Sequence, residues 1–437
     1  MPDAAVLVLG VVLGVGIFRS PQVVAANTGE SWIFLALWVA GGVVSAMGAL
    51  CYAELAAAYP DAGGEYHFIS RAFGRRLGFL VVWSRMTVIQ TGSIAVLAYV
   101  FGDYATAALS LGPGAPPLLA AAAVVALTAV NVAGLRQGRW TQHVLTWASV
   151  AALLAVVAAG LSLAGGPAPA ADAAPTEGGG AASPSLGVAL VFVLLAFGGW
   201  SEGAYLSAEV RSRRRKGVAR SLLLAVGALT LLYVLANVAY LQGLGLAGIA
   251  RTDAVAARVA ERALGPWGGR LVGGAVVLAA LSSANATVIT GARSNYAMGR
   301  DFAGFGFMGR WRRAADTPAR ALWIQGGVAL ALVGFGAVAR SGFEAMVAYT
   351  APVFWLVLLF TGAAVMVLRR REPDRERPFR VPLYPALPLL FCAAAGYMVY
   401  SAVLNAGSGA LLGLAVLGAG VPVVLYSQRS GESGGEG

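Results

Sequence analysis

Two short glycine-containing stretches decide the fold of this sequence: Gly14-Val15-Gly16-Ile17-Phe18 and Phe197-Gly198-Gly199-Trp200. The first interrupts the first long apolar segment of the chain, and the second interrupts the sixth. A helix in a bilayer satisfies its own backbone N–H and C=O groups, so an interruption leaves such groups open to protein, water, ion or ligand. Paired interruptions at corresponding positions of two halves of a membrane protein are typical of a ligand site at mid-membrane.

The composition excludes an ordinary soluble protein. Of the 437 residues, 58% are hydrophobic and 12% are charged, whereas soluble domains average about 25% charged residues. The net charge of +11 comes from basic residues in short loops between apolar segments, which indicates membrane topology and lipid contact rather than nucleic-acid binding. Cys51 and Cys392 both lie in apolar segments, so we expect neither a disulfide framework nor a disulfide-linked subunit.

A window of about 19 residues identifies about twelve apolar spans, at residues 4–26, 32–58, 77–106, 117–135, 142–165, 186–209, 217–243, 268–299, 319–339, 343–368, 383–404 and 408–427. Alternate connecting segments and the C-terminal tail hold 23 of the 31 Lys and Arg residues, while the other segments hold five. The positive-inside rule therefore predicts that both termini lie in the cytoplasm. We expect a multi-pass protein of the plasma (inner) membrane.

An Ala-, Gly- and Pro-rich stretch separates two groups of five spans. Because five is odd, the two groups have opposite orientations in the membrane. We therefore predict an all-α polytopic membrane protein with a 5+5 inverted repeat and discontinuous helices 1 and 6. Its predicted parts are a first repeat at 1–165, an extracellular loop at 166–185, a second repeat at 186–368, two additional helices at 369–427 and a short cytoplasmic tail at 428–437. Residues 251–264 are expected to form a short amphipathic helix outside the membrane.

The two breaks favour a zwitterionic ligand. Gly14 and Gly16 let the backbone leave helical dihedral angles at low cost. The half-helix that begins after the break carries a partial charge of about +0.5, and the one that ends before it carries about −0.5; these suit a carboxylate and an ammonium or metal cation. An α-amino acid has both groups on one carbon. The alternative is helix packing, because Gly10 and Gly14 form a G-x-x-x-G face.

The second break allows the same two interpretations. Its backbone carbonyls suit ammonium hydrogens. Phe197 and Trp200 are each either an aromatic lid over a ligand or a core-packing side chain.

Further motifs follow the breaks in a fixed order: Ser20-Pro21; Tyr52-Ala53-Glu54-Leu55; Pro60 with Gly63-Gly64-Glu65-Tyr66; Glu209-Val210; Arg293, Tyr296-Ala297-Met298 and Arg300-Asp301; Thr317-Pro318; Arg377-Pro378-Phe379 with Val381-Pro382. In this order and spacing, which runs through most of the chain, the sequence resembles a permease of the amino acid/polyamine/organocation (APC) superfamily. It is similar to the bacterial permeases of the L-type amino acid transporter group. The resemblance implies the fold of the bacterial leucine transporter and alternating access around an amino acid.

The resemblance also implies the roles of residues at the breaks. Backbone N–H groups of the first break would hold the substrate carboxylate: Gly14, Val15, Gly16 and Ile17. The second break would hold the amine and line the same site: Ala196, Phe197, Gly198, Gly199 and Trp200. We expect a neutral substrate with a medium or large side chain, because Gly198 and Gly199 leave space beside the ligand. Glu202 leaves a cationic substrate as the alternative.

Coupling is where this sequence departs from many relatives. Proton-linked and exchanging relatives often have a lysine in span five, where this sequence has Ser149 and no lysine. In span eight, Ser282 and Ser283 resemble the second sodium site of the leucine-transporter fold. The other ligands of that site would be the carbonyls of Gly10, Leu13 and Ala279. Oxygen ligands suit a hard cation, so sodium-coupled symport is our hypothesis. The alternatives are serines bonded to their own helix, proton coupling, and exchange.

Charged residues inside spans are candidates for coupling, because burying a charge at a helix centre costs about 2.5–3.5 kcal/mol on insertion scales. Arg85 in span three either pairs with Glu202, lines a polar path, or snorkels to the inner headgroups. Glu202, after the second break, either faces a water-filled vestibule or carries a proton. Glu54, Glu65 and Glu209 are expected to form inner gate or structural pairs with nearby arginines.

Other classes fit less well. Gly199-Trp200-Ser201-Glu202-Gly203 matches G-x-S-x-G, but that motif needs a preceding strand and here it lies in an apolar helical span. No G-x-x-x-x-G-K-[ST] occurs, so ATP-driven transport is unsupported. We expect no enzyme activity and no cofactor beyond a coupling Na+ or H+. An exporter or exchanger of amines and a non-transporting amino acid sensor remain as alternatives.

Overall fold

The computed structural model describes residues 15–61, 63–134, 139–164, 185–202, 216–312, 317–405 and 407–432. Within these residues the chain is helical, and the β-structure is limited to one isolated bridge between Arg312 and Thr317. Gly10, Leu13 and Gly14 lie outside the described residues, as does the side chain of Glu202. The prediction of an all-α protein is confirmed.

The helices have these bounds: α1 Gly16–Ala26, α2 Ser31–Ala58, α3 Glu65–Phe73, α4 Arg75–Leu109, α5 Ala115–Val132, α6 Arg139–Ser162, α7 Leu186–Ala196, α8 Lys216–Ala250, α9 Val255–Leu264, α10 Pro266–Asp301, α11 Ala319–Ala337, α12 Gly342–Arg371, α13 Ala386–Asn405 and α14 Gly407–Glu432. Helix α4 contains one π-helical turn, Arg85–Ile89. Eight of the described helices are long and apolar enough to cross a membrane. Two of these, α2 and α12, begin within one residue of the predicted spans 32–58 and 343–368.

Two short helices lie between the long ones. Helix α9 confirms the predicted helix in 251–264, and it is amphipathic: Val255 and Val259 are buried while Arg258 is exposed. Helix α3 was not predicted, because its nine residues are too few to give a membrane-length apolar window.

Predicted spans one to four pack against the spans that follow five places later. Helix α1 contacts α7, α2 contacts α8, α4 contacts α10, and α5 contacts α11. Small residues permit the close approach at these crossings. A Cβ added to Gly42 of α2 would lie 2.3 Å from the hydroxyl of Thr230 on α8, and one added to Gly326 of α11 would lie 2.6 Å from that of Thr128 on α5.

Candidate functional site

The sixth predicted span is interrupted where the sequence analysis expected. Helix α7 ends at Ala196, and the N–H of Gly198 donates to the carbonyl of Leu195 at 2.9 Å in a tight turn. Gly199 then has φ +64°, a left-handed conformation that glycine adopts without the steric cost that a Cβ imposes. A short 3-10 turn, Trp200–Glu202, follows. The backbone therefore leaves the α-helix over three residues in the middle of an apolar segment.

The start of α1 lies directly against the end of α7. A Cβ added to Gly16 would lie 2.8 Å from the Cα of Ala196, so only glycine allows the two backbones to approach this closely. The first N–H groups of a helix and its last C=O groups have no partner within the helix. The N-terminal end of α1, with its partial positive charge, thus meets the C-terminal end of α7, with its partial negative charge.

Three buried tyrosines hold carbonyl groups beside this junction. The hydroxyl of Tyr233 on α8 donates to the carbonyl of Ala196 at 3.1 Å, and that of Tyr240 donates to Ile17 at 3.4 Å. From α4, Tyr104 donates to the carbonyl of Phe18 at 2.7 Å. Since a carbonyl oxygen has two lone pairs, the Ala196 carbonyl keeps one for another donor. Helices α4 and α8 therefore fix the orientation of both half-helices at the junction.

Aromatic rings enclose the junction. The Phe197 ring lies 5.0 Å from Tyr233 and 6.3 Å from Trp38, measured between ring centroids. Trp200 lies 5.0 Å from Tyr52 in an edge-to-face contact. Both Phe197 and Trp200 are buried. In this structure each ring is packed in an aromatic cluster, as the core-packing interpretation describes; an aromatic lid stays a prediction.

A buried arginine, Arg19, lies on α1 three residues beyond Gly16. Arg19 and its four partners form what we call the Arg19 cluster: Arg19, Asp103, Asp253, Gln22 and Phe343. The Arg19 guanidinium lies 3.1 Å from the Asp103 carboxylate on α4 and 2.8 Å from the Asp253 carboxylate before α9. It also contacts the amide oxygen of Gln22 and lies 5.1 Å from the centre of the Phe343 ring on α12. The cluster links α1, α4, α12 and the segment before α9 through a side chain that is 4% exposed.

Arg85 meets a buried glutamate. Its Nη1 lies 2.9 Å from a carboxylate oxygen of Glu65, which also accepts a hydrogen bond of 2.5 Å from the hydroxyl of Tyr52. Arg85 is buried, so it does not extend to the headgroups; it begins the π-helical turn of α4. The pair supports the expectation of a structural or gate pair at Glu65. The role of Arg85 in coupling stays a prediction.

Glu54 is the centre of a second inner contact, the Glu54 clamp, which comprises Glu54, Arg369, Arg377 and Val381. Arg369 donates to the Glu54 carboxylate at 2.7 and 2.5 Å, and the backbone N–H of Val381 donates to it at 2.6 Å. Arg377 Nε lies 3.6 Å from the same carboxylate. This bidentate geometry is the strongest form of a carboxylate–arginine contact. The clamp joins the end of α2 to the end of α12 and to the loop before α13.

A more exposed pair lies beside the clamp. Arg71 on α3 donates to Glu372 at 2.7 and 3.0 Å, and Tyr59 donates to it at 3.3 Å. The Arg71 hydrogen bonds lower the pKa of Glu372 below its ordinary value.

The residues of the predicted sodium site are only partly described. Ala279 and Ser282 are buried on α10, and Ser283 beside them is half-buried. Ser149 is buried on α6, which packs against α10. The remaining predicted ligands, Gly10 and Leu13, are outside the described residues, so the sodium site stays a prediction.

Sequence reasoning missed Arg19 as a site residue. It considered neither Arg19 nor Asp103 as a charged residue that needs a partner. The signal that finds them is the one applied to Arg85: both are charged residues within apolar segments, and such residues need partners.

Comparisons with known proteins identify the family of this chain. Residues 1–420 match the family model described as "Amino acid permease". The chain is 29% identical over 406 residues to the b(0,+)-type amino acid transporter 1 of Mus musculus, covering 91% of this chain and 81% of the relative. It is 29% identical over 439 residues to the mouse large neutral amino acids transporter small subunit 2, covering 96% and 79%. It is 27% identical over 434 residues to the mouse Asc-type amino acid transporter 1, with the same shares. The chain therefore belongs to the amino acid permease family of the APC superfamily.

Proposed function

We propose that this protein is a secondary active transporter that moves an amino acid across the plasma membrane by alternating access. The observation that carries the proposal is the junction of α1 and α7, where the two backbones meet at Gly16 and Ala196. Opposite partial charges there fit a carboxylate and an ammonium on one carbon. Backbone N–H groups of Gly14, Val15, Gly16 and Ile17 would bind the carboxylate. The turn after α7 would bind the amine: Ala196, Phe197 and Gly198, with Gly199 and Trp200 lining the same site.

We further propose a 5+5 inverted repeat within a set of twelve spans. The contacts of α1, α2, α4 and α5 with the helices five spans later support it, because two intertwined repeats bring equivalent helices together at their shared axis. The distribution of basic residues supports cytoplasmic termini. On this topology the Arg19 cluster lies toward the outside and the Glu54 clamp toward the cytoplasm.

Under the same topology, the ion pairs of Arg19 close the outer route to the junction. Alternating access requires such a closure to open and re-form. Arg19 suits this role because it lies on α1 itself, one turn beyond Gly16. Its guanidinium joins α1 to α4 and to the segment before α9.

A neutral amino acid is the substrate that the observations favour. One of the relatives is named as a large neutral amino acids transporter. The buried residues at the junction are apolar or aromatic, including Val15, Ile17 and Phe197, and this environment disfavours a charged side chain.

Sodium coupling is the hypothesis for the driving ion. Ser282 and Ser283 supply hydroxyl oxygens on α10. Helix α10 packs against α6, which contains the buried Ser149. Oxygen ligands suit Na+. Proton coupling and exchange are the competing outcomes of the test below.

The test uses the purified full chain in proteoliposomes. A thermal-shift screen against the twenty amino acids identifies the stabilising one, and its radiolabelled form is used for uptake. We expect saturable uptake that falls when Na+ is replaced by choline at constant pH and voltage. Equal uptake in choline would reject sodium coupling, and uptake only into vesicles preloaded with amino acid would indicate exchange. Stabilisation without uptake or exchange would reject transport in favour of a sensor.

A matched pair of glycine variants tests the site itself. Gly16→Ala places a methyl group 2.8 Å from the Ala196 Cα, whereas a Cβ at Gly227 on α8 meets nothing within 4 Å. Gly16→Ala should reduce substrate affinity by at least about tenfold, equivalent to about 1.4 kcal/mol, while Gly227→Ala should leave it unchanged. Equal affinity in the two variants would place the substrate elsewhere.

A further inference from the structure

A crevice of about 310 Å³ lies between α1, α7, α12 and α13, apart from the junction of the two breaks. Its floor is apolar, formed by buried side chains that include Val191, Phe192 and Val347. Its mouth is polar: Arg340 precedes the N-cap of α12, Glu344 lies in the first turn of that helix, and both are exposed. Small-ligand sites have this character, an apolar cavity of about 300–1,000 Å³ with few polar groups.

The mouth presents both signs of charge. Two of the surrounding helices end there, α1 at Ala26 with the C-cap Asn27 and α13 at Asn405, and α12 begins there after its N-cap Ser341. Ends of opposite polarity therefore lie around one opening. Among the described residues, neither Arg340 nor Glu344 forms an ion pair. Glu344 also lies within the electrostatic influence of Arg19 and Asp253. The edge of the apolar cavity therefore has a cation, Arg340, and an anion, Glu344, and the anion lies beside the Arg19 cluster.

We propose that this crevice is a second ligand site, which binds an amphipathic zwitterion, namely an amino acid with an apolar side chain. The side chain would lie on the floor beside Phe192, with the ammonium toward Glu344 and the carboxylate toward Arg340. A ligand with a single charge would complement only one of these two residues, whereas a zwitterion complements both.

Contacts run from the crevice floor to the Arg19 cluster. The Phe192 ring lies 5.8 Å from the Phe343 ring between centroids, and the Arg19 guanidinium lies 5.1 Å from the centre of the Phe343 ring. A ligand that packs on Phe192 and pairs with Glu344 would therefore hold α1, α7 and α12 in their present arrangement. Since α1 and α7 carry the proposed substrate site, occupancy should slow turnover without competing for that site. This regulatory consequence rests on the proposed transport function, while the binding itself does not.

Cysteine protection tests the binding directly. Ala348 lines the crevice and is half-buried. The rate at which a methanethiosulfonate reagent modifies the Ala348→Cys variant is measured in nanodiscs, with wild type giving the background of Cys51 and Cys392. L-Phenylalanine is the probe. Two analogues each lack one charge: 2-phenylethylamine and 3-phenylpropionate. The control variant is Arg258→Cys on exposed α9.

We expect L-phenylalanine to slow modification of Ala348→Cys but not of Arg258→Cys. Each analogue should need at least about tenfold more ligand for the same protection, the equivalent of about 1.4 kcal/mol. Adding Glu344→Gln or Arg340→Gln should weaken protection to a similar degree, whereas Glu261→Gln on α9 should not. In wild-type proteoliposomes, the protecting concentration should lower the maximal uptake rate without raising KM, and Glu344→Gln should lose this inhibition.

Several results would overturn the proposal. Unchanged Ala348→Cys reactivity with intact thermal stabilisation would mean that the amino acid binds only at the break. Equal protection by either analogue would reject the zwitterion. Modification that is slow in phosphatidylethanolamine discs, fast in phosphatidylglycerol discs and insensitive to L-phenylalanine would identify a lipid as the occupant. Protection that persists in a protein without uptake would support the crevice and reject the transport function separately.

Discussion

The Arg19 cluster and the Glu54 clamp each provide partners for one buried charge, but they do so in opposite ways. In the cluster, one buried cation on α1 serves two carboxylates, and one of these, Asp253, has a side chain that is 64% exposed. In the clamp, one buried anion on α2 is held by Arg369, by Arg377 and by the backbone N–H of Val381. The Arg19 cluster is open to solvent on the side of Asp253 and is centred on a half-helix. The Glu54 clamp is enclosed and is centred on a continuous helix.

This difference separates a contact that can open from one that holds the fold. Exposed ion pairs contribute only about 0–1 kcal/mol, so water can replace Asp253 as a partner of Arg19 at low cost. Removing one partner of a buried pair leaves an uncompensated charge and costs about 3–5 kcal/mol. We therefore interpret the Arg19 cluster as a closure that re-forms in each cycle and the Glu54 clamp as a permanent connection.

The clamp gives the largest expected effect. Arg369→Ala should destabilise the folded protein by about 3–5 kcal/mol, because the Glu54 carboxylate loses its bidentate partner while buried. Thermal unfolding in detergent, followed by size-exclusion chromatography, measures the loss. Arg370→Ala, the exposed neighbour, is the control and should shift stability by less than about 0.5 kcal/mol. Similar stability in the two variants would show that the clamp does not hold the fold.

Replacing the centre of the cluster should change access more than stability. In Arg19→Gln, we expect less destabilisation than in Arg369→Ala, because Asp253 is already exposed to water and Asp103, at 15% exposed, is less enclosed than Glu54, at 3%. A cysteine at the half-buried Gln22 position should react with an impermeant thiol reagent at least about tenfold faster, a change equivalent to about 1.4 kcal/mol in the closure. A cysteine at Arg258 on α9 serves as the control. Unchanged reactivity at position 22 would mean that Arg19 is not part of a closure.

The two carboxylates of the Arg19 cluster should contribute differently to the uptake rate. Asp103→Asn removes the enclosed partner, which is 15% exposed, and Asp253→Asn removes the exposed one. We expect Asp103→Asn to lower the uptake rate about tenfold and Asp253→Asn to lower it by less than about threefold, since exposed pairs contribute little. Uptake kinetics in proteoliposomes, with immunoblotting for equal protein amounts, measure both. A larger effect at Asp253 would reverse the assignment of enclosed and exposed partners.

The smallest effect concerns Glu372, beside the clamp but outside it. Because Arg71 lowers the pKa of Glu372 in the folded state, the pair stabilises the fold at pH above the ordinary glutamate pKa of about 4.3. That contribution is lost as the pH falls through the lowered value. Arg71→Gln should therefore cost less than about 1 kcal/mol at neutral pH and almost nothing in strong acid. Thermal unfolding of wild type and variant between pH 3 and pH 7 measures the difference; a difference that grows toward low pH would contradict it.

Much of the helical framework was predictable from local sequence, because an apolar window of bilayer length is a local property. The break after Ala196 was predictable for the same reason, since Gly198 and Gly199 are adjacent in the chain. The partners of the charged residues were not predictable. Glu54 and Arg369 are 315 positions apart, and no spacing rule relates them. Arg85 was expected to pair with Glu202 or reach the headgroups, and its contact with Glu65 depends on where α3 lies.

The functional assignment of the site stays a prediction, although the geometry around it is defined. The sequence indicated two breaks, and the structure brings Gly16 to Ala196. It did not indicate that Tyr104, Tyr233 and Tyr240 would hold the neighbouring carbonyls, because each tyrosine lies in a helix whose apolar pattern gives no sign of a hydroxyl partner. Ser282 and Ser283 remain hypotheses for sodium, since Gly10 and Leu13 lie outside the described residues.

The most direct test is a cryo-electron microscopy map of the full chain with the stabilising amino acid bound. We expect ligand density between the start of α1 and the end of α7, with the carboxylate at the N–H groups of Gly16 and Ile17 and the amine at the carbonyl of Ala196. Ligand density elsewhere, with uninterrupted helix through residues 14–17 and 197–199, would contradict it.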